Sequence, residues 1–141
     1  MHDVGKIGIP DNILLKPGKY VEKEWEVIKQ HPAIGQKLLG GSTNTLLKAS
    51  EIVAFSHHER WDGTGYPNGL KGEDIPLYGR IISIADVFDA LTHERPYKPR
   101  FDKDKSLQIM RDYRGNLFDP GLIDVFFDNH KEVEFILERN G

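Results

Sequence analysis

The sequence predicts a mostly α-helical bundle, and three observations carry that reading. Apolar residues recur at helical spacing along most of the chain, the glycines and prolines that would break helices crowd between residues 63 and 76, and no internal repeat or low-complexity linker divides the whole. With 141 residues, 38% hydrophobic and 29% charged, the chain can bury one ordinary core as a single domain.

The elements follow in order. Glu22 to Gln30 carries Trp25 and Ile28 three apart, and after Pro32 the pattern resumes with Ile34, Leu38 and Leu39, so two linked helical segments are expected. Leu46, Leu47, Ala49, Ile52, Val53 and Phe55 form a third apolar pattern that runs into the doublet His57-His58. Beyond it Gly63, Gly65, Pro67, Gly69 and Gly72 forbid a regular helix, which places the doublet at a helix C-terminus and leaves Trp61 to Pro76 irregular or as a short β-hairpin. Leu77, Ile81, Ile84, Ala85, Phe88 and Leu91 recur at helical spacing with Asp86 on the flank of the stripe. Asp102 is placed to cap a helix through Tyr113, and Asp119-Pro120 to start one last helix carrying Leu122, Phe126, Val133 and Leu137.

Charge and composition narrow the chemistry. A net charge of −3 and a pI near 6.1 argue against a general DNA-binding surface, which needs a basic excess. An anionic substrate would then need local positive charge, which a bound dication supplies. The absence of cysteine excludes thiolate ligation and a disulfide framework. No apolar run approaches the roughly 20 residues of a membrane span and no signal-peptide pattern opens the chain, so a cytoplasmic domain is the expectation.

The donors that remain are His2, Asp3, His31, His57, His58 and Asp86, with His93 and His130 as further histidines. Imidazole and carboxylate together hold Zn, Mn, Fe or Ni, and that donor set points to hydrolysis rather than redox chemistry. Each residue also has an ordinary reading. His31 alone would be a core or surface histidine, His57-His58 a helix end meeting the dipole, and Lys6 a partner for Asp3 or a helix cap. Asp89, one turn from Asp86, is either an exposed charge or, in the preferred reading, a partner for a ligand's second ring nitrogen. Trp25 and Trp61 read as core or wall rather than as platforms for a base.

Several blocks in fixed order resemble one family. His2-Asp3-Val4-Gly5-Lys6, the following Gly8-Ile9-Pro10, His57-His58-Glu59-Arg60-Trp61-Asp62-Gly63, Gly65-Tyr66-Pro67, Ala85-Asp86-Val87-Phe88-Asp89-Ala90-Leu91 and Arg95-Pro96-Tyr97-Lys98 are similar to the HD-GYP domain, over nearly the whole chain. That resemblance implies an HD-type helical bundle and a bacterial signalling phosphodiesterase that hydrolyses cyclic di-GMP, with either the linear dinucleotide pGpG or GMP as end product. It implies His2, Asp3, His31, His57, His58 and Asp86 as ligands of two or three divalent ions, with Fe or Mn first and Zn or Ni compatible. Asp3 would bridge two ions and share the catalytic role with Lys6, which would touch a phosphate oxygen. Gly65, Tyr66, Pro67, Arg95 and Lys98 would bind substrate. Two ions about 3.5–4 Å apart would clamp the phosphate for in-line displacement.

The resemblance also implies a departure. Members of the family carry a helix before the His-Asp pair that supplies a further histidine, and in one subgroup a glutamate. The expectation is therefore a single domain over 1–141 without its N-terminal helices. One ion, held by Asp3, His31, His57 and His58, would keep every protein ligand, and its neighbour, held by His2, Asp3 and Asp86, would lack one. Ile7, Ile13 and Leu14 would be exposed, favouring a homo-oligomer. Leu117 stands where the family commonly has histidine, and Val21 where it has a capping Ser or Thr. The competing readings are a metal- or nucleotide-binding module without turnover, partnered for example by a diguanylate cyclase domain, and an HD phosphohydrolase for another nucleotide.

Overall fold

Side chains at the helix starts define the architecture. Asn44 accepts hydrogen bonds from Leu46 N and Leu47 N at 2.9 and 3.3 Å, Asp102 from Lys105 N at 2.8 Å, and Asp119 from Gly121 N at 2.8 Å. Each satisfies backbone donors that the first helical turn leaves without partners. Val21 offers no such oxygen, and Glu24 compensates by accepting from Val21 N at 2.9 Å while Lys16 pairs with it at 2.6 Å.

The structure, a computed structural model, describes residues 1–93 and 101–140, the side chains of Glu134, Leu137, Glu138 and Asn140 excepted. Arg95 and Lys98 lie outside the described residues. A 3-10 turn over Val4–Gly8 precedes α1 (Asp11–Leu14), α2 (Glu22–Ile28), α3 (His31–Leu39), α4 (Thr45–Ser56), a second 3-10 turn over Gly72–Asp74, α5 (Leu77–Thr92), α6 (Lys103–Asp112), α7 (Pro120–Asp128) and α8 (His130–Asn140). The bundle reading therefore holds, and of the two forms expected for Trp61 to Pro76 it is the irregular one that occurs. Among the described residues no strand pairs into a sheet, and the isolated bridge joins Arg114 to Phe118 outside that loop.

Two regions share the interior. α5, α6 and α7 enclose Ile84, Phe88, Leu91, Met110, Phe118 and Ile123, and the ring of Phe126 meets Phe88 edge-on at 5.1 Å. α3 packs on both the first 3-10 turn and α4, and α4 also packs on α5. Gly5 makes the first of these contacts possible, because a Cβ there would overlap the His31 carbonyl oxygen. The turn is thus pressed directly onto the start of α3.

Two expectations need correction. The single last helix is two, α7 and α8, because Asn129 Nδ2 donates to the Val125 carbonyl at 2.8 Å and His130 Nδ1 bonds the Phe127 carbonyl at 2.7 Å. Side chains that bond the final carbonyls end α7 where apolar spacing alone would continue it. Ile7 is exposed at 82%, as expected, but Ile13 and Leu14 are half-buried because α1 folds against α2.

Candidate metal centre

Local structure aims three imidazoles into one space. His31 opens α3 and its Nδ1 bonds the Ile28 carbonyl at 2.7 Å, so the end of α2 sets the ring's direction. His57 caps the C-terminus of α4, with Nδ1 at 3.1 and 3.0 Å from the Val53 and Ala54 carbonyls. A ring nitrogen facing a carbonyl donates to it, which turns Nε2 of both rings toward the shared space. Those Nε2 atoms lie 3.3 Å apart. His58 follows, its ring 4.0 Å from that of His57 and 5.0 Å from that of His31.

Asp3 faces this group from the first turn. Its Oδ1 lies 3.4 Å from His31 Nε2 and 3.7 Å from His57 Nε2, while its Oδ2 lies 3.6 Å from His2 Nε2 and 2.6 Å from Lys6 Nζ. One oxygen thus points to each side. Donor atoms of Asp3, His31, His57 and His58 all fall within 4.8 Å of one another. His2 Nε2 in turn approaches Asp86 Oδ1, on α5, at 3.6 Å, which gathers a second set of donors beside the first.

Electrostatics leave the donors in ligand form. Burial, then the charges of His57 and His31, push His58 down to about 3, and burial likewise lowers His31 against the opposing pull of the Ile28 carbonyl. Burial disfavours ionisation of Asp3, yet the neighbouring His57 imidazole and Lys6 ammonium hold its carboxyl well below the usual carboxylate range. Neutral imidazoles and an ionised carboxylate are what a divalent cation requires. The fit is chemical as well as spatial: Nε2 of His31 and of His57 lie 3.3 Å apart with Asp3 Oδ1 3.4 and 3.7 Å from them, so nitrogen and oxygen donors converge where a divalent cation can sit. The donor set, nitrogen and oxygen without thiolate, suits Fe, Mn, Zn or Ni alike.

The other residues singled out by sequence divide. Lys6 sits at the cluster through its 2.6 Å pair with Asp3, and Tyr66 stacks on His58 at 4.7 Å with its phenol pushed up, mainly by burial. Gly65 allows this approach, since a Cβ there would strike the backbone of His58 and Glu59. The Tyr66–Pro67 peptide is cis. Asp89, in contrast, pairs with His93 at 3.0 Å, and Nδ1 of His31 and of His57 faces a helix carbonyl. His93 and His130 are engaged elsewhere, with Asp89 and with the Phe127 carbonyl. Leu117 contributes its backbone: its carbonyl accepts from Trp61 N at 3.2 Å, and the Asn116 carbonyl accepts from Asp62 N at 2.8 Å.

Sequence reasoning passed over Glu59. Its carboxylate is 2% exposed and accepts from Asn68 N at 2.8 Å and Leu70 N at 2.9 Å, clamping the loop that carries Tyr66. The available signal was an acidic residue directly before a glycine-rich loop, whose backbone donors need a buried acceptor.

A helical bundle with histidines and an aspartate gathered at one end defines the class, and a family model described as HD domain matches residues 1–122. The chain belongs to the HD-domain family. Its HD-GYP motifs place it with relatives named cyclic di-GMP phosphodiesterases. It is 50% identical over 136 residues to the cyclic di-GMP phosphodiesterase response regulator RpfG of Xanthomonas campestris pv. campestris, covering 96% of this chain and 36% of the relative. It is 42% identical over 139 residues to a cyclic di-GMP phosphodiesterase of Thermotoga maritima, covering 99% and 38%, and 42% identical over 132 residues to the 3'3'-cGAMP-specific phosphodiesterase 2 of Vibrio cholerae, covering 94% and 25%. The chain therefore spans between a quarter and two fifths of the length of these relatives. A crystal structure of a cyclic GMP-AMP specific phosphodiesterase from V. cholerae superposes with a TM-score of 0.54 at 23% identity, covering 94% of this chain and 34% of that one, which shows a shared fold. Among the described residues no helix is long and apolar enough to cross a membrane.

Proposed function

We propose that this chain carries the hydrolytic centre of a metal-dependent phosphodiesterase that opens cyclic di-GMP to linear pGpG. The observation that carries the reading is the two-sided carboxylate of Asp3, one oxygen toward His31 and His57 and the other toward His2 and Lys6. In this reading Asp3, His31, His57 and His58 hold one divalent ion, and His2, Asp3 and Asp86 help to hold a second, with Fe or Mn as the native metals. Such ions supply Lewis acidity toward phosphate oxygens and a nucleophile from water at neutral pH. Hydrolysis adds that water to phosphorus and breaks one P–O3′ bond, leaving a 5′-phosphate and a free 3′-hydroxyl.

The chain's own groups do the rest. Lys6, with its side chain 41% exposed, can turn from Asp3 toward a phosphate oxygen and stabilise the charge that grows on it. Tyr66 walls the cluster on the His58 side, and Glu59 holds the loop that presents it. Arg95 and Lys98 are assigned to the nucleotide by family resemblance alone. The test is anaerobic incubation of the purified chain with Mn(II) or Fe(II) and cyclic di-GMP, with products resolved by chromatography. Linear dinucleotide should appear and fall by roughly a hundredfold or more in His57→Ala. No product from folded protein holding two ions per chain would overturn the reading.

A second reading has its own support, since several relatives at 42–43% identity are named 3'3'-cGAMP-specific phosphodiesterases. Relative kcat/KM on the two cyclic dinucleotides decides between them. A diguanylate cyclase domain as partner and a homo-oligomer through the exposed apolar residues belong to this proposal and are tested by pull-down and by scattering.

A further inference from the structure

Aromatic rings run outward from the metal cluster in contact. His58 stacks on Tyr66 at 4.7 Å and 24°, Tyr66 meets Trp25 nearly perpendicularly at 6.0 Å and 79°, and Trp25 stacks on Tyr20 at 6.4 Å and 21°. Trp25 is the part of this series left open to solvent, at 41% exposure, whereas Tyr66 and Tyr20 are half-buried. Exposed apolar residues are ordinary when scattered, and Ile7 and Leu15 are of that kind. Trp25 differs because its neighbours orient it and because it borders the site.

Both features come from α2. Ile28, one turn after Trp25, provides the carbonyl that directs His31, so one short helix aims a ligand imidazole and presents an indole beside the same cluster. Tyr20 packs behind the indole and is itself tied down, its hydroxyl reaching the Leu14 carbonyl at 3.5 Å while Lys16 and Glu24 bridge the same turn at 2.6 Å. Tyr66 has given one face to His58 and meets the indole nearly edge-on, which leaves Trp25 as the accessible ring at the rim.

We propose that Trp25, backed by Tyr20, is a base-stacking platform that takes a purine of a cyclic dinucleotide whose phosphate lies at the Asp3, His31, His57 and His58 cluster. The proposal rests on the phosphodiesterase reading above and adds a specificity-determining residue to it. Stacking accepts any base in proportion to its π surface, so the platform favours purine over pyrimidine cyclic dinucleotides without separating guanine from adenine. It acts on binding, not on the reacting atoms.

The experiment compares Trp25→Ala and Trp25→Phe with wild type, all loaded with Mn(II), and in parallel follows quenching of Trp25 fluorescence by cyclic di-GMP in a Trp61→Phe background. Trp25→Ala should raise KM for cyclic di-GMP by roughly five- to a hundredfold, with the effect falling on KM rather than kcat, and Trp25→Phe should recover most of it. Saturable quenching of Trp25 without turnover by the wild type would retain the platform and overturn the phosphodiesterase reading. Turnover with neither quenching nor a KM change in Trp25→Ala would overturn the platform alone. Loss of bound manganese or of kcat in both variants would make Trp25 a structural support for α2 and also overturn the platform, as would the absence of both turnover and quenching.

Discussion

The interior between α5, α6 and α7 is built from large apolar side chains, whereas the interior between the first turn, α3 and α4 is built from imidazoles and very small residues. In the former, Met110, Phe118 and Ile123 are wholly buried and Phe88 and Leu91 nearly so. In the latter His31 is 1% and His57 3% exposed, beside Ala54 and the close approach of Gly5 to α3. A buried Phe or Ile contributes about 1.5–3 kcal/mol through burial, while a buried imidazole adds little once its ring nitrogens must be satisfied. The apolar region therefore stabilises the fold, and the polar region gathers the candidate ligand donors. α4 and α5, packed together, pass that support from one to the other.

Perturbing each region should separate the two roles. The largest stability effect belongs to the apolar core: Phe118→Ala should lose about 3–5 kcal/mol by urea denaturation, while molecules that remain folded still bind metal. Loss of metal stoichiometry in that folded fraction would show that the two regions are not separable. Next comes metal itself. At a free concentration about 100 times Kd, Mn(II) should raise unfolding free energy by about 2.7 kcal/mol, in wild type and Phe118→Ala alike but not in His57→Ala. An equal shift in His57→Ala would place the ion elsewhere. Smallest in stability is Gly5→Ala, which forces the turn away from α3 at a cost of roughly 1–3 kcal/mol. Its metal affinity should fall far more than its stability suggests, because Asp3 moves with the turn. Unchanged manganese affinity by calorimetry would show that Gly5 does not position Asp3.

Much of the fold was legible because its signals are local. The caps at Asp102 and Asp119, the helix end at His57 and the flank position of Asp86 all follow from periodicity and from residues able to bond nearby backbone groups. The break at Asn129 was missed because a polar residue at the end of a helical pattern is equally compatible with continuing it; what ends α7 is two side chains turning back to its carbonyls. The pairing of Asp89 with His93 was not legible for a related reason. Helical spacing put it near Asp86, but its pairing with His93 depends on where the end of α5 points.

The sequence by itself determined the helical class, the helix starts and the chemical type of the donors, since composition and short-range spacing are properties of the chain. Family resemblance grouped the histidines, but only the tertiary structure decided the distances at which they meet, that Asp3 turns one oxygen to each side, that Glu59 clamps the loop behind Tyr66, and that Trp25 stands open beside the cluster. Those are relations between segments distant along the chain, and close packing across α2, α3, α4 and the first turn brings them within a few ångströms.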